Sequence, residues 1–466
     1  MLAAFRARPR PRPRRVVAAS LAGACALVVV PATGHASAGA HTSVTISVNH
    51  SSAGSVGTGF AGFSYEKSMV GAGMFDPNDA ALVKLFRLLG PGYLRVGGNE
   101  VDIVNWNSAG AGGSATEIGP SDVTKLAAFA KATGWRVIYG INLKTNTPAN
   151  AASEAAFAAH ALGKSLVAFE IGNEPNVYDT EAAYEASFNT YTAAIRGKVP
   201  TAVFDGPGTY RHGAWEATFA ADEKKNGLAM MSMHMYIGNN TTASIAGMLA
   251  SNPSSFATDA AAIAGATSAN GIPGWRMTET NSYFHGGAAG VSDVEASSLW
   301  SLDFMEGIAA DGASGVNFHG GTSAQFTLSY SPIAYDGLTP TGVQGVYYGE
   351  LLWKLAGAGT LHTATVSGAT GSGGTGVSAW AIGNNVIIDN KGTSAITASV
   401  TLPAAASSGS SYVLTAPSLT SKAITIAGSA VSGAGAFSPA PTHVAVSGTR
   451  MTVSVPAGSA ALVVTR

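Results

Sequence analysis

Two glutamates stand at equivalent points of a weakly charged chain. Glu174 follows the apolar run Leu166–Ile171 inside Gly172-Asn173-Glu174-Pro175-Asn176, and Glu279 follows Trp275–Thr278 and opens Glu279-Thr280-Asn281-Ser282-Tyr283. A lone glutamate at a strand end is usually a surface residue or a structural acceptor. An opposed pair has a specific chemistry: a neutral carboxyl protonates a leaving glycosidic oxygen while an ionised carboxylate works on the other side of the sugar ring. Other polar residues share the strand-end positions. Glu66 follows the first apolar run, Asn99 and Asp102 follow the second, and each could hold a sugar hydroxyl or serve as a cap or ion-pair partner. His234 and His319 also lie at strand ends, but no third ligand sits at zinc-like spacing near either, so no metal is expected, and no cofactor is. Ser282 lacks the Gly-x-Ser-x-Gly setting of a serine nucleophile.

These residues need a scaffold, and the chain between Phe60 and Gly321 repeats one. Eight short apolar runs recur, at Gly59–Tyr65, Tyr93–Val96, Arg136–Ile141, Leu166–Ile171, Ala202–Asp205, Met230–Met235, Trp275–Thr278 and Gly315–His319. Their spacing of roughly 30 to 45 residues suits strand-helix repeats, with strands buried on both faces. Asp79–Leu89, Ser121–Thr133, Thr180–Lys198 and Val294–Asp311 carry apolar residues at helical spacing, and Ser121-Asp122 and Asp179-Thr180 resemble N-caps. Eight such units predict an α/β fold, a (β/α)8 TIM barrel over residues 56–350, whose working residues lie at the C-terminal ends of strands. Strands four and seven face each other across such a mouth.

Beyond about Gly357 the composition shifts to Thr, Ser, Val, Ala and Gly with alternating segments such as Ile396–Leu402 and Met451–Val455, which predicts a C-terminal antiparallel β-sandwich over 351–466. Ser43–His50 alternates in the same way, so residues 39–55 are expected to add a strand to that domain. Trp353 and Trp380 could stack on a sugar but are better read as core.

The first residues read as an export signal: six arginines before Val16, an uncharged stretch to Val30, and Ala36-Ser37-Ala38 as the cleavage site, giving a signal peptide over 1–38 and a secreted protein. The apolar stretch is too short to span a bilayer, so no membrane association is expected after cleavage near Ala38. Cys25, the single cysteine, falls inside it, leaving no disulfide or thiolate metal site. Without the six arginines the chain carries 20 basic against 27 acidic residues, and nucleic acid is an unsuitable partner.

With these motifs in hand the chain resembles a known group. Ile171-Gly172-Asn173-Glu174-Pro175, with a second Glu after strand seven, looks like the large clan of retaining barrel glycosidases. Within it, Leu94-Arg95-Val96-Gly97-Gly98-Asn99, Phe169–Pro175 and Thr278–Ser282, with a C-terminal β domain, resemble glycoside hydrolase family 79, the β-glucuronidases and heparanases. The resemblance implies Glu174 as general acid and then base, Glu279 as nucleophile, Asn173 on the sugar 2-hydroxyl, Tyr236 bonded to the nucleophile and Arg95 supporting it. It implies an oligo- or polysaccharide partner with a terminal uronic acid. The family holds the uronate with a tyrosine five residues and a glycine amide seven residues past the nucleophile; here these are Phe284 and Gly286. Tyr283 or His285 would have to replace the lost hydroxyl, and Tyr330 would add a donor. An exo-acting β-glucuronidase is therefore expected, with a heparanase-like endo enzyme, a neutral-sugar glycosidase and a non-catalytic carbohydrate-binding protein as the alternatives.

Overall fold

The computed structural model describes residues 42–251, 256–323, 325–368 and 376–466; the expected signal segment lies outside them. All eight apolar runs are parallel strands of one closed barrel: β1 (Gly62–Glu66), β2 (Tyr93–Gly97), β3 (Arg136–Ile141), β4 (Leu166–Ile171), β5 (Phe204–Tyr210), β6 (Leu228–Asn239), β7 (Trp275–Phe284) and β8 (Ala313–Gly320). Each pairs with the next in sequence, and β8 closes on β1 in the register Phe318↔Phe63, His319↔Ser64, Gly320↔Tyr65. The chain is thus a (β/α)8 barrel with a C-terminal β domain.

The helices between the strands begin where their side chains can satisfy free backbone donors. The Asp79 carboxylate accepts from the amides of Ala81 and Leu82 ahead of helix Ala80–Leu88, and Thr180 Oγ1 accepts from Ala183 ahead of Glu181–Lys198. The expected Ser121-Asp122 cap is displaced. Helix Pro120–Thr133 starts earlier, because Pro120 fits the first helical position and Asp122, in the third, reaches back to the Gly119 amide at 2.9 Å. Aromatic rings fill the space between helices and strands: Phe63, Phe86 and Trp135 lie 4.5 to 5.1 Å apart, and such burial contributes roughly 1.5–3 kcal/mol per large side chain.

Inside the barrel two buried arginines sit at different levels. Near the lower end Arg276 bonds Asn317 and the carbonyls of Phe60 and Val316, and Asn317 in turn bonds the carbonyls of Phe63 and Tyr93. That plug ties β7, β8, β1 and β2 together. Arg95 occupies the upper level, under the site.

In the β domain the strands Gly359–Ser367, Val377–Ile382, Asn385–Asn390, Ser459–Thr465 and Ile396–Thr415 follow one another as antiparallel neighbours. The long last strand pairs with Ser459–Thr465 through its second half; its first half pairs with the N-terminal strand Thr42–Val48, which also pairs with Gly359–Ser367. This contact of Thr42–Val48 with Ile396–Thr415 is parallel, unlike the rest. Period-two alternation divides the work of the sheet. Ala379, Ala381, Val386, Ile388, Ala461 and Val463 point into the domain's own core, whereas Trp380, Ile382, Ile387, Ala460 and Leu462 join the barrel's core. Trp353, on the last barrel helix Gly345–Ala356, lies 6.3 Å from Trp380 at this seam, and both are buried.

Candidate active site

At the end of β4 the chain turns sharply through Gly172 and Glu174, both at positive φ. A left-handed conformation costs a non-glycine residue roughly 1–2 kcal/mol. Here it is held by the bond from the Glu174 amide to the Gly208 carbonyl at 3.0 Å, and it aims the carboxyl over the barrel mouth. Oε1 of Glu174 lies 3.2 Å from Nδ1 of His234 on β6, whose Nε2 is 3.1 Å from Thr278 Oγ1 on β7.

Glu279 enters from β7 and is gripped on both oxygens. Arg95 Nη1 donates to Oε2 at 2.6 Å and the Tyr236 hydroxyl donates to Oε1 at 2.9 Å. Burial alone would raise this carboxyl, but the charges of His319, Arg95 and His234 and the Tyr236 hydrogen bond outweigh it and bring it down to about 2. Glu279 is therefore an anion throughout the neutral range. Arg95, wholly buried, also donates to Glu170, Ser64 and Asn173 Oδ1. With its oxygen on Arg95 and its amide group 3.1 Å from Asn99 Oδ1, Asn173 has a fixed orientation.

A carboxylate oxygen of Glu174, one of Glu279 and a ring nitrogen of His234 lie within 4.8 Å of one another. Three donors at that separation could surround a cation. The Arg95 and Tyr236 donors already neutralise the Glu279 oxygens, so the protein itself supplies the charge a metal would bring. What the geometry offers is an anion and a second carboxyl with oxygens within 4.8 Å of each other.

Both carboxyls open into a cavity of about 260 Å³. Glu66, Asn99, Tyr236, His285 and Tyr330 line it. Glu66 is fixed by the Glu100 amide, which donates to its Oε2 at 2.8 Å, and by His319 at 3.5 Å. This requires Gly98, at φ 69°, where a Cβ would fall 2.2 Å from Glu66 Oε2.

Four expected residues lie elsewhere. Tyr283 turns away and donates to the Ser244 carbonyl at 2.9 Å; Gly238 and Gly247 leave the space its ring fills. Gly286 is off the cavity wall, and its carbonyl accepts from the Tyr330 amide at 3.2 Å. Asp102 and Asn173 line a neighbouring groove that Glu174 also borders. Conversely, sequence reasoning passed over Glu100 and Tyr210 on the wall and treated His234 and His319 only as metal ligands. The histidines carried the same strand-end signal as the glutamates. His319 is drawn in two directions: burial pushes its pKa down, while Glu279 and Glu66 push it up and prevail.

No family model matches the sequence, and no curated protein matches it either. Solved structures do match. A 4-O-α-L-rhamnosyl-β-D-glucuronidase from Fusarium oxysporum 12S, in complex with Rha-GlcA, is 23% identical with a TM-score of 0.75, covering 90% of this chain and 99% of that one. AbfB, a family 51 α-L-arabinofuranosidase from Bifidobacterium longum, is 16% identical with a TM-score of 0.67, covering 90% and 99%. CelM2, a bifunctional glucanase-xylanase from a metagenome library, is 16% identical with a TM-score of 0.61, covering 91% and 99%. The chain shares the barrel-plus-β-domain fold of these glycoside hydrolases along nearly their whole length.

Proposed function

We propose that this protein is a retaining glycoside hydrolase, an exo-acting β-glucuronidase that releases terminal glucuronic acid, or its 4-O-methyl form, from an oligo- or polysaccharide. The observation that carries the reading is the pair Glu174 and Glu279, with carboxylate oxygens within 4.8 Å and Glu279 held as an anion by Arg95 and Tyr236. Carboxyl groups about 5–5.5 Å apart belong to double displacement; inversion needs a wider gap to admit water.

In the first step Glu279 attacks the anomeric carbon while Glu174 gives its proton to the glycosidic oxygen. The C–O bond breaks and a glycosyl ester forms on Glu279. Glu174, now a carboxylate, takes a proton from water, whose oxygen attacks the anomeric carbon and frees Glu279. Asn173, locked between Arg95 and Asn99, is assigned the sugar 2-hydroxyl, and Glu66 the hydroxyls on the far wall.

The uronic acid assignment draws on the fold shared with the Fusarium glucuronidase and on Tyr330 and His285, neutral or cationic donors on the cavity wall. One observation favours a neutral sugar instead: Phe284 on that wall carries no hydroxyl. Export through the arginine-rich leader belongs to the same proposal, and no helix among the described residues is long and apolar enough to cross a membrane.

The test is cleavage of an aryl β-D-glucuronide beside neutral aryl glycosides, by the wild type and Glu279→Gln. Glucuronide cleavage that falls at least about a thousandfold in the variant is expected. Cleavage of a neutral glycoside alone would transfer the mechanism to another sugar; cleavage of none would overturn the reading.

A further inference from the structure

Where the barrel meets the β domain, one lysine and two aspartates come together largely shielded from solvent. Asp303 belongs to the barrel helix Glu295–Ala310, Asp389 to the β-domain strand Asn385–Asn390, and Lys391 follows that strand directly. Alternation puts Asp389 on the same face as Ile387, which packs into the barrel's core. Lys391 Nζ donates to Asp303 Oδ2 and lies 3.5 Å from Asp389 Oδ2, and the Asp389 carboxyl lies against Asp303 as well. The side chains of Lys391 and Asp389 are 3% and 0% exposed, that of Asp303 17%. On the neighbouring strand Val377–Ile382, Ser378 Oγ donates to Asp303 Oδ1 at 2.6 Å and accepts from Lys391 Nζ at 2.9 Å.

An ion pair explains only part of this cluster. Asp303 suffices to balance Lys391, yet Asp389 is the most deeply buried of the three, and neither of its oxygens has a hydrogen-bond partner among the described residues. Burial raises its pKa well above 3.8, which Lys391 offsets in part and Asp303 reinforces, so Asp389 carries a proton. Burial pulls the Lys391 ammonium down, but Asp389 and Asp303 push it up and prevail, so Lys391 and Asp303 rest as an ion pair. An amine, a carboxyl in contact with it and a buried acid against both are the parts that amide condensation needs.

We propose that Lys391 and Asp303 condense into an amide bond, with Asp389 as proton carrier, and that this bond staples the barrel to the β domain. A proton first crosses from Nζ to Oδ2 of Asp303, leaving an amine and a carboxylic acid. Nζ attacks Cγ of Asp303, and the C=O electron pair moves onto Oδ1, where the Ser378 hydroxyl stabilises it. Nζ gives a proton to one oxygen of Asp389 while the other passes its own to the Oδ2 hydroxyl. The Cγ–Oδ2 bond breaks, water leaves and the C=O bond re-forms, with Asp389 restored. Proximity supplies the driving force that dilute water lacks, since well-oriented groups reach effective concentrations of about 10⁵–10⁸ M. The product also removes two buried charges, whose desolvation is costly. It links residues 88 positions apart in the chain.

The experiment compares the intact masses of the full chain, Lys391→Arg and Asp389→Asn with the masses of their own sequences, and analyses a protease digest of each by tandem mass spectrometry. The wild type is expected to be lighter by one water molecule and to yield a branched peptide carrying residues 303 and 391, while both variants keep their full mass. A wild type at full mass overturns the proposal. So does a water loss that persists in Lys391→Arg, which places the dehydration elsewhere. If Lys391→Arg does not fold, the branched peptide of the wild type decides, and its absence overturns the bond. A branched peptide undiminished in Asp389→Asn overturns the role of Asp389. None of these readouts depends on the glycosidase reading.

Discussion

The Tyr236 hydroxyl donates to Oε1 of Glu279 at 2.9 Å, opposite the Arg95 guanidinium on Oε2. The tyrosine ring packs between Phe284 and Tyr330, with centroids 6.4 and 6.1 Å away, so a phenylalanine can keep its place. Tyr236→Phe removes one bond to a buried anion. It is expected to lower kcat/KM by about 10- to 100-fold, the equivalent of about 1.4–2.7 kcal/mol. Because that bond helps hold Glu279 down at about 2, the acidic limb of the rate profile should also move to higher pH. An unaltered profile would mean that Arg95 and the histidines suffice.

His319 links the two walls, 3.7 Å from Glu279 and 3.5 Å from Glu66. Its folded pKa lies above the ordinary value of 6.5, since Glu279 and Glu66 outweigh burial. A group raised on folding contributes stability that is fully present below the unfolded pKa and is lost as pH rises through the folded one. The advantage of wild type over His319→Gln in Tm should therefore shrink between about pH 6 and 9. A gap that widens toward alkaline pH would refute the charged pairing.

How much of this was legible follows from where burial repeats itself. The eight barrel strands are covered on both faces and read as unbroken apolar runs, and Asp79 and Thr180 cap helices as their types suggest. Glu174 and Glu279 stood out because each ends such a run. Directions at strand ends were less legible. Asn99–Ile103 is a 3₁₀ turn, in which successive side chains rotate by roughly 120°. It sends Glu100 into the cavity and Asp102 into the neighbouring groove, a division invisible in a string of polar residues. Tyr283 is aimed by Gly238 and Gly247, far away in sequence. His319 acquires its role from β1 and β7 partners that only barrel closure brings together.

Glu350 lies fully buried on helix Gly345–Ala356, and neither carboxyl oxygen has a hydrogen-bond partner among the described residues. Burial raises its pKa well above 4.5, and the nearby Arg276 offsets this only in part. The folded chain then binds a proton that the unfolded chain releases, so its stability contribution is present below the unfolded pKa and fades as pH rises. The loss runs at about 1.4 kcal/mol per pH unit until the folded pKa is reached. Glu350→Gln has no proton to lose. Its gain in Tm over wild type should grow between about pH 5 and 8, whereas an equal difference at both would show that Glu350 does not titrate with folding.

On the proposed reading, Phe284 is the position that separates a uronic acid from a neutral sugar. Its ring lies 6.4 Å from Tyr236, 6.5 Å from Tyr210 and 4.8 Å from His285, on a wall shared with four carboxyl groups, those of Glu66, Glu100, Glu174 and Glu279. None of the described residues on that wall is Lys or Arg. A uronate there has to be held by directed donors such as Tyr330 and His285, since no lysine or arginine on the wall opposes the repulsion. Adding a donor should then matter to the uronate alone. Phe284→Tyr is expected to raise kcat/KM for 4-nitrophenyl β-D-glucuronide about tenfold, about 1.4 kcal/mol, mainly through a lower KM, with neutral aryl glycosides little altered. If neutral glycosides gain as much, or the glucuronide gains nothing, the carboxylate does not reach position 284. Glu66 and Glu100 would then be hydroxyl acceptors for a neutral sugar, and the uronic acid assignment would fall while the Glu174 and Glu279 chemistry stood.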